Sequence, residues 1–438
     1  MADDVNRGAD GKNGADDLTG ACPVDHGGSG RGGVDDDCPV QDWATDFNLW
    51  DMGYTADPVP VWQDLQQNCP MAHTDRWGGM FMATRYDDLL ELTAMTDVLS
   101  NRQPTVRKDM NLDGMLDDRH LNVNPPISSD PPEHRDLRRL ILPFFTLKSV
   151  AGYRPFTEKT CNDLIDRFID QGRADAATDY AQQLTPLVIG HMLGIDPDRS
   201  DEFVGWTRDF IEFGQEDQAI RASTYRKMTL FFHEMIAERR ARPGAEDYIS
   251  VLLRAELDGK PVPDETLVNL CVLLLIAGID TTWSALGSSL LHFATHTDHR
   301  RQLAADPGLM SSAVEEMLRV YAPVTMSRIA MEDFEFRGKQ VRRGDRVLMN
   351  FAAANHDIDA FDDVDEVKLD RQKNRHAAFG LGIHRCAGSN LARMEMEVAL
   401  STWFRRIPEF ELTDPDAVTW APGQVRGART VPVRWQAG

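Results

Sequence analysis

The stretch Phe379-Gly380-Leu381-Gly382-Ile383-His384-Arg385-Cys386-Ala387-Gly388 runs directly into Asn390-Leu391-Ala392-Arg393-Met394-Glu395-Met396-Glu397 by way of Ser389. The first part is a glycine-rich turn and the second is rich in strong helix formers. The pattern predicts a lone cysteine, Cys386, held at a helix N-terminus, where exposed N–H groups and the helix dipole favour thiolate over thiol. Gly380, Gly382 and Gly388 let the backbone approach a bulky flat group closely. A sulfur so placed can serve as a metal ligand, as a nucleophile with His384 as its base, or as a buried structural cysteine.

Working upstream, Leu273-Leu274-Leu275-Ile276-Ala277-Gly278-Ile279-Asp280-Thr281-Thr282 is an apolar helix pattern broken by a glycine, an acid and two hydroxyls. Gly278 weakens a helix interior, and a buried acid is costly unless satisfied. Local conflicts of this kind mark function, although a helix N-cap at Asp280 or Thr281 would also explain them. Glu316 and Arg319 lie three apart on one helix face, a spacing that by itself signals only an ordinary ion pair. His134 and Arg138 lie four apart and share a face.

The rest of the chain bounds the answer. Among 438 residues, 47 Lys and Arg face 70 Asp and Glu, a formal charge of −23. That balance opposes phosphate-backbone binding, so no nucleic-acid partner is expected. The hydrophobic fraction of 42% and charged fraction of 27% are those of a globular protein. The six cysteines, Cys22, Cys38, Cys69, Cys161, Cys271 and Cys386, are too sparse for a disulfide framework and lack CxxC spacing. No secretory pattern opens the chain, and the longest apolar run, near 271–279, is roughly half of the ~20 residues that a membrane span needs. A cytoplasmic protein without a membrane partner is expected.

Residues 1 to about 40 hold nine Gly, nine Asp and three basic residues, a composition that predicts a disordered acidic tail over 1–41. Cys-Pro-Val occurs twice in it, at 22–24 and 38–40, as a chance repeat or a regulatory contact. The remainder, 42–438, reads as one catalytic domain, mainly α with a minor β portion. Gly79–Thr84 predicts a strand and Tyr86–Thr96 a helix, and a long polar loop covers 100–133. Helical patterns dominate from Glu133 to Tyr321, with Phe203, Trp206, Phe210 and Phe213 forming one apolar face. Short β-like runs follow at 333–336, 346–350 and 430–435.

Phe379, Gly382, Cys386 and Gly388 match the signature Phe-x-x-Gly-x-x-x-Cys-x-Gly, and the chain from about Asp42 onward resembles the bacterial cytochrome P450 haem-thiolate monooxygenases. The resemblance implies a fold with haem b between a long central helix and the cysteine loop. It makes Cys386 the iron ligand, with Phe379 shielding the sulfur. Ala277 and Gly278 would form the O₂ groove, and Asp280 and Thr281 would deliver protons, about 105 residues before the cysteine. His134, Arg138, Arg328 and His384 would hold the haem carboxylates. Arg371 would join Glu316 and Arg319 in a structural cluster.

By the same resemblance, Ile276, the segment from Val324 to Ser327, Gln424 and Val425 line the substrate pocket, together with the loop from about Thr105 to Val123 and the helices around Val188 and Phe210. That mixed wall suggests a small or medium organic substrate, hydroxylated or oxidatively O-dealkylated. No flavin or Cys₄ iron–sulfur pattern is present, so electrons would come from a ferredoxin and an NAD(P)H-dependent ferredoxin reductase. Arg135, Arg139, Lys148, Arg375, Arg385 and Arg393 would form the basic patch that receives them. The competing readings are a peroxide-driven haem-thiolate enzyme, a haem-binding sensor or carrier, and a haem-free hydrolase using Cys386 and His384.

Overall fold

Four consecutive apolar residues (Met80, Phe81, Met82, Ala83) lie in a sheet that flanks a large body of helices in the computed structural model, which describes residues 38–108 and 124–437. The elements that position the site are, in chain order, β1 (Met71–Thr74), β2 (Met80–Ala83), α1 (Tyr86–Ala94), β3 (Leu99–Ser100), α2 (Glu133–Ile141), α3 (Leu147–Asp166), α4 (Gln182–Leu193), α5 (Ser200–Ile211), α6 (Gln218–Ala241), α7 (Asp264–Thr295), α8 (Met310–Val320), β4 (Thr325–Ala330), β5 (Arg346–Asn350), α9 (Ser389–Arg406), β6 (Thr419–Ala421), β7 (Gly427–Thr430) and β8 (Pro432–Arg434). The main sheet has the order β1-β2-β5-β4-β3, with β5 parallel to β2 and the other pairs antiparallel.

The expected strand at 79–84 and helix at 86–96 are present with slightly shorter bounds. Of the aromatic stripe, Phe203, Trp206 and Phe210 are buried, whereas Phe213 lies past the end of α5 and is 48% exposed. The 430–435 run is divided. β7 ends at Thr430 and pairs with β6, while β8 pairs with residues 411–412 and 173–175. The first Cys-Pro-Val and the loop segment 109–123 lie outside the described residues, and Cys38 is disulfide-bonded.

The centre of the molecule is α7. Its 32 residues reach about 48 Å at ~1.5 Å per residue. Pro263 stands at the N-cap, with Asp264 and Glu265 in the first turn, where acids meet the positive helix end. Its interior is apolar almost all round, as burial on every side requires. It is long and apolar enough to cross a membrane by length and composition, but 78% of that stretch is buried inside the protein. Helices α4, α5, α6 and α9 and strand β7 pack around it. Asp280 and Thr281 sit in mid-helix, so neither is an N-cap.

Small residues on α7 admit the C-terminal strand. The amide of Ala428 donates to Ser288 Oγ at 3.2 Å. A Cβ on Gly427 would stand 2.3 Å from Ser284 Cβ and 2.7 Å from its Cα. Gly427→Ala therefore forces strand and helix apart, at a cost of about 1–3 kcal/mol. The expected result is a lower Tm in thermal unfolding, and an unchanged Tm would show that the contact is slack.

Candidate active site

The cysteine loop is shaped by its backbone. The amide of Cys386 donates to Phe379 O at 2.7 Å, closing the turn. Gly380 and Gly382 take φ of +72° and +67°, the left-handed region open to glycine. At Gly382 a Cβ would also lie 2.9 Å from Thr93 O of α1. Cys386 is exposed, and what it faces is an internal cavity of about 510 Å³.

Burial nevertheless pushes its thiol up, against the opposing pull of the Gly388 amide and of Arg138, Arg385 and Arg393. This corrects the expectation that the helix end alone favours thiolate. Helix α9 starts only at Ser389, and burial is the largest influence on the thiol. A sulfur in this setting ionises when a cation sits beside it, as a bound metal ion does.

Across the cavity stands α7, which presents Ile276, Ala277, Gly278, Asp280 and Thr281 to it. Ala277 is exposed there within an otherwise buried helix. Thr281 Oγ1 donates to Ala277 O at 2.9 Å, the i−4 bond that a threonine makes inside a helix. A Cβ on Gly278 would meet Ile189 Cδ1 of α4 at 2.4 Å. Asp280 is buried, with Oδ1 accepting from Arg429 Nη2 at 2.7 Å and Oδ2 without a partner.

One edge of the cavity collects nitrogen donors. Arg138, Arg328 and His384 line it. His134 does not. It is buried one layer behind, its ring centroid 4.2 Å from that of His384. Arg328 is almost fully buried and, among the described residues, donates only to Ser327 O at 2.8 Å, and Arg138 donates to Arg385 O. His134 Nε2 and His384 Nδ1 are buried without partners among the described residues. Burial lowers Arg328 to about 10; burial, Arg328, His134 and Arg138 lower His384 to about 2.

No carboxylate forms an ion pair with any of these four groups among the described residues. Such a cluster suits a ligand that brings its own carboxylates. A thiol on the floor, a small-residue groove above and unsatisfied donors at the edge fit a haem. The hydrolase reading finds no support, because no hydrogen bond joins His384 to Cys386 and burial beside Arg328 and Arg138 makes His384 a weak proton acceptor.

The substrate side corrects one expected residue. In a strand successive side chains face opposite ways, so Arg328 and Ser327 of β4 cannot both face the cavity. Val324, Met326 and Arg328 line it, whereas Ser327 is fully buried on the other side. Met326, inside the expected segment from Val324 to Ser327, takes the cavity face, and the period of two was the signal that could have separated it from Ser327. On α4, Ile189 rather than Val188 reaches the wall. Val324 and Val425 form an isolated antiparallel bridge, and Gln424 Oε1 accepts from the Val106 amide at 3.3 Å, fastening the hairpin tip to the loop after β3.

Behind the cysteine loop lies a charge cluster. Glu316 accepts from Arg319 Nη2 at 2.8 Å and from Arg371 Nε at 2.9 Å. Asn374 Nδ2 and the Lys368 amide, each at 3.0 Å, complete its shell. Burial alone would raise Glu316, but the Arg319 and Arg371 bonds hold it below the usual range. Arg393, placed in the basic patch by the sequence reading, instead grips Glu315 at 2.5 and 2.9 Å and stacks on Phe379 at 4.4 Å. Arg135, Arg139, Lys148, Arg375 and Arg385 are exposed. Arg135 and Arg139 share Asp136 at 3.3 and 3.9 Å.

Comparison with known proteins supplies the family. The model of the family described as cytochrome P450 matches residues 308–419, from α8 through the cysteine loop to β6. The chain is 31% identical over 376 residues to cytochrome P450 107B1 of Saccharopolyspora erythraea, covering 82% of this chain and 89% of that one. It is 34% identical over 314 residues to the steroid C26-monooxygenase of Mycolicibacterium smegmatis, covering 70% and 78%. In three dimensions it is similar to the Bacillus subtilis cytochrome P450 PksS of the bacillaene polyketide synthase, with a TM-score of 0.80, 28% identity and coverage of 89% and 100%. Likeness at this coverage, joined to a cavity with a cysteine below and a small-residue helix above, leaves one conclusion: the chain belongs to the bacterial cytochrome P450 family and is a haem-dependent monooxygenase.

Proposed function

We propose that this enzyme works in the cytoplasm with haem b, with Cys386 as iron ligand, and that a ferredoxin and an NAD(P)H-dependent ferredoxin reductase supply its electrons. The observation that carries the reading is the cavity of about 510 Å³ bounded by Cys386 on one side and Ala277, Gly278 and Thr281 on the other. When bound, a haem held by Cys386 would supply O₂ activation there, the thiolate ligand favouring O–O cleavage.

The chain's own residues do the rest. Arg138, Arg328 and His384 hold the carboxylates, with His134 backing His384. Phe379 covers the sulfur side, pinned under Arg393. Thr281 Oγ1, one rotation away from its bond to Ala277 O, holds a proton at the cavity, and Asp280 refills it from the protein side. The exposed Arg135, Arg139, Lys148, Arg375 and Arg385 offer the redox partner a basic landing site on an otherwise acidic protein.

The substrate is a small or medium organic molecule, hydroxylated or O-dealkylated. The wall is largely apolar, with Ile276, Val324, Met326 and Val425, while Gln424 and Thr281 give polar contacts. An acid and a hydroxyl facing the cavity serve an O₂-driven cycle and have no use in a carrier or sensor.

Two measurements test this. The reduced, CO-bound protein should show the long-wavelength Soret band of thiolate ligation. Thr281→Ala should keep consuming NAD(P)H while product falls by roughly 10²-fold, the scale of one lost proton-transfer group, with peroxide in its place. Undiminished product per NAD(P)H would remove Thr281 from the proton path.

A further inference from the structure

Arg429 was assigned no role by sequence reading, and its surroundings set it apart. It comes from β7, 149 residues from Asp280. Its three nitrogens are each spent on a different partner. Nη2 donates to Asp280 Oδ1 at 2.7 Å, Nη1 to Ser284 Oγ at 2.7 Å and Nε to Glu212 Oε1 at 2.5 Å. Its plane lies over the Trp283 ring, 4.2 Å from the centroid. Glu212, just past the end of α5, is held on its other oxygen by Arg208 Nε at 3.0 Å, and Arg208 is partly exposed. An unbroken ionic chain, Arg208–Glu212–Arg429–Asp280, therefore joins the surface beside α5 to the cavity.

We propose that Arg429 is a positioning residue for monooxygenation: it anchors Asp280 by Oδ1, leaves Oδ2 unpartnered for proton transfer, and is contested by Glu212, so that α5 sets how firmly Asp280 is held. The inference rests on the reading that Asp280 moves protons.

The electrostatics agree with the geometry. Burial raises Asp280 to about 6, against the pull of Arg429 on β7, while Glu212 pushes it up and Arg208 pulls it down from α5. A proton relay works best when its affinity matches the working pH. Without Arg429 the buried carboxyl would keep its proton too tightly. Without the Glu212 charge the guanidinium would serve Asp280 alone, and the carboxyl would release its proton more readily. The two substitutions thus move the Asp280 midpoint in opposite directions, and a role in proton delivery requires the coupling optimum to follow each of them, which a merely structural Arg429 does not produce.

The test is an infrared pH titration of the haem-loaded enzyme, following the carboxyl band that Asp280→Asn removes, beside the pH profile of product formed per O₂ consumed. In Arg429→Gln the Asp280 midpoint should rise by about 1–3 units, the effect of a lost neighbouring cation, and the coupling optimum should move the same way. Glu212→Gln should lower the midpoint, and it reads the network even where Arg429→Gln folds poorly. Arg429→Lys should restore most of the shift. An unchanged midpoint in Arg429→Gln, or a rise in Glu212→Gln, overturns the proposal. Full coupling in Asp280→Asn would instead overturn the proton role of Asp280, the reading beneath it.

Discussion

Cys386→Ser is expected to abolish monooxygenation and to remove the long-wavelength Soret band of the reduced CO complex. The reason is confined to one atom. A serine hydroxyl keeps the volume of the site but gives no thiolate, and axial-ligand identity is the lever that tunes haem chemistry most strongly. The loop should survive the exchange. Its turn is held by the Cys386 amide bonded to Phe379 O and by the left-handed Gly380 and Gly382, none of which involves the sulfur. The variant should therefore fold with nearly the parent's apoprotein Tm and bind haem without the thiolate spectrum. The same Soret band in the serine variant would refute the ligand assignment.

The second large effect lies in a cluster that touches no substrate. Glu316→Ala is expected to strip the protein of most of its folded, haem-loaded form. Glu316 and Arg319 are each 0% exposed, and Arg371 is close to it. Removing the carboxylate strands two guanidinium groups away from water, and breaking a buried pair costs about 3–5 kcal/mol. That is a large part of a typical stability of roughly 5–15 kcal/mol. Arg319 also donates to Asn355 O and Val364 O, each at 3.0 Å, so the loss spreads into the segment leading to the cysteine loop.

Because the carboxyl is depressed in the folded state, its stabilisation is present above the ordinary value of 4.5 and fades as pH falls below it. Glu316→Gln, which keeps the shape and one acceptor, should lie between. Thermal unfolding together with the ratio of Soret to protein absorbance measures both variants, and a parental Tm in Glu316→Ala would contradict this account.

Not every contact at the site could be read along the chain. The loop around Cys386 was legible because its demands are local: glycines for turns, a cysteine, then helix formers. The conflict at Gly278, Asp280 and Thr281 was visible too, but its meaning was not. The same residues suit an N-cap, and the continuous course of α7 excludes it. At the wall of the cavity, Ser327 was expected beside Met326, since Val324 to Ser327 was read as a run of neighbours rather than as a strand with alternating faces. Arg393 was assigned to a partner surface because its sequence neighbours do not reveal that Glu315, 78 positions earlier, lies beside it.

The amino-acid sequence by itself marked where the chemistry sits, at one sulfur in a glycine turn and an acid–hydroxyl pair in an apolar helix, because those features are met within a few consecutive residues, and the family resemblance those motifs carry supplied its class. Only the tertiary structure decided which cation serves Asp280, which face of β4 meets substrate and how Glu316 unites Arg319 with Arg371. Those choices depend on strand pleat and on contacts between distant segments, which form only when the helices close around α7.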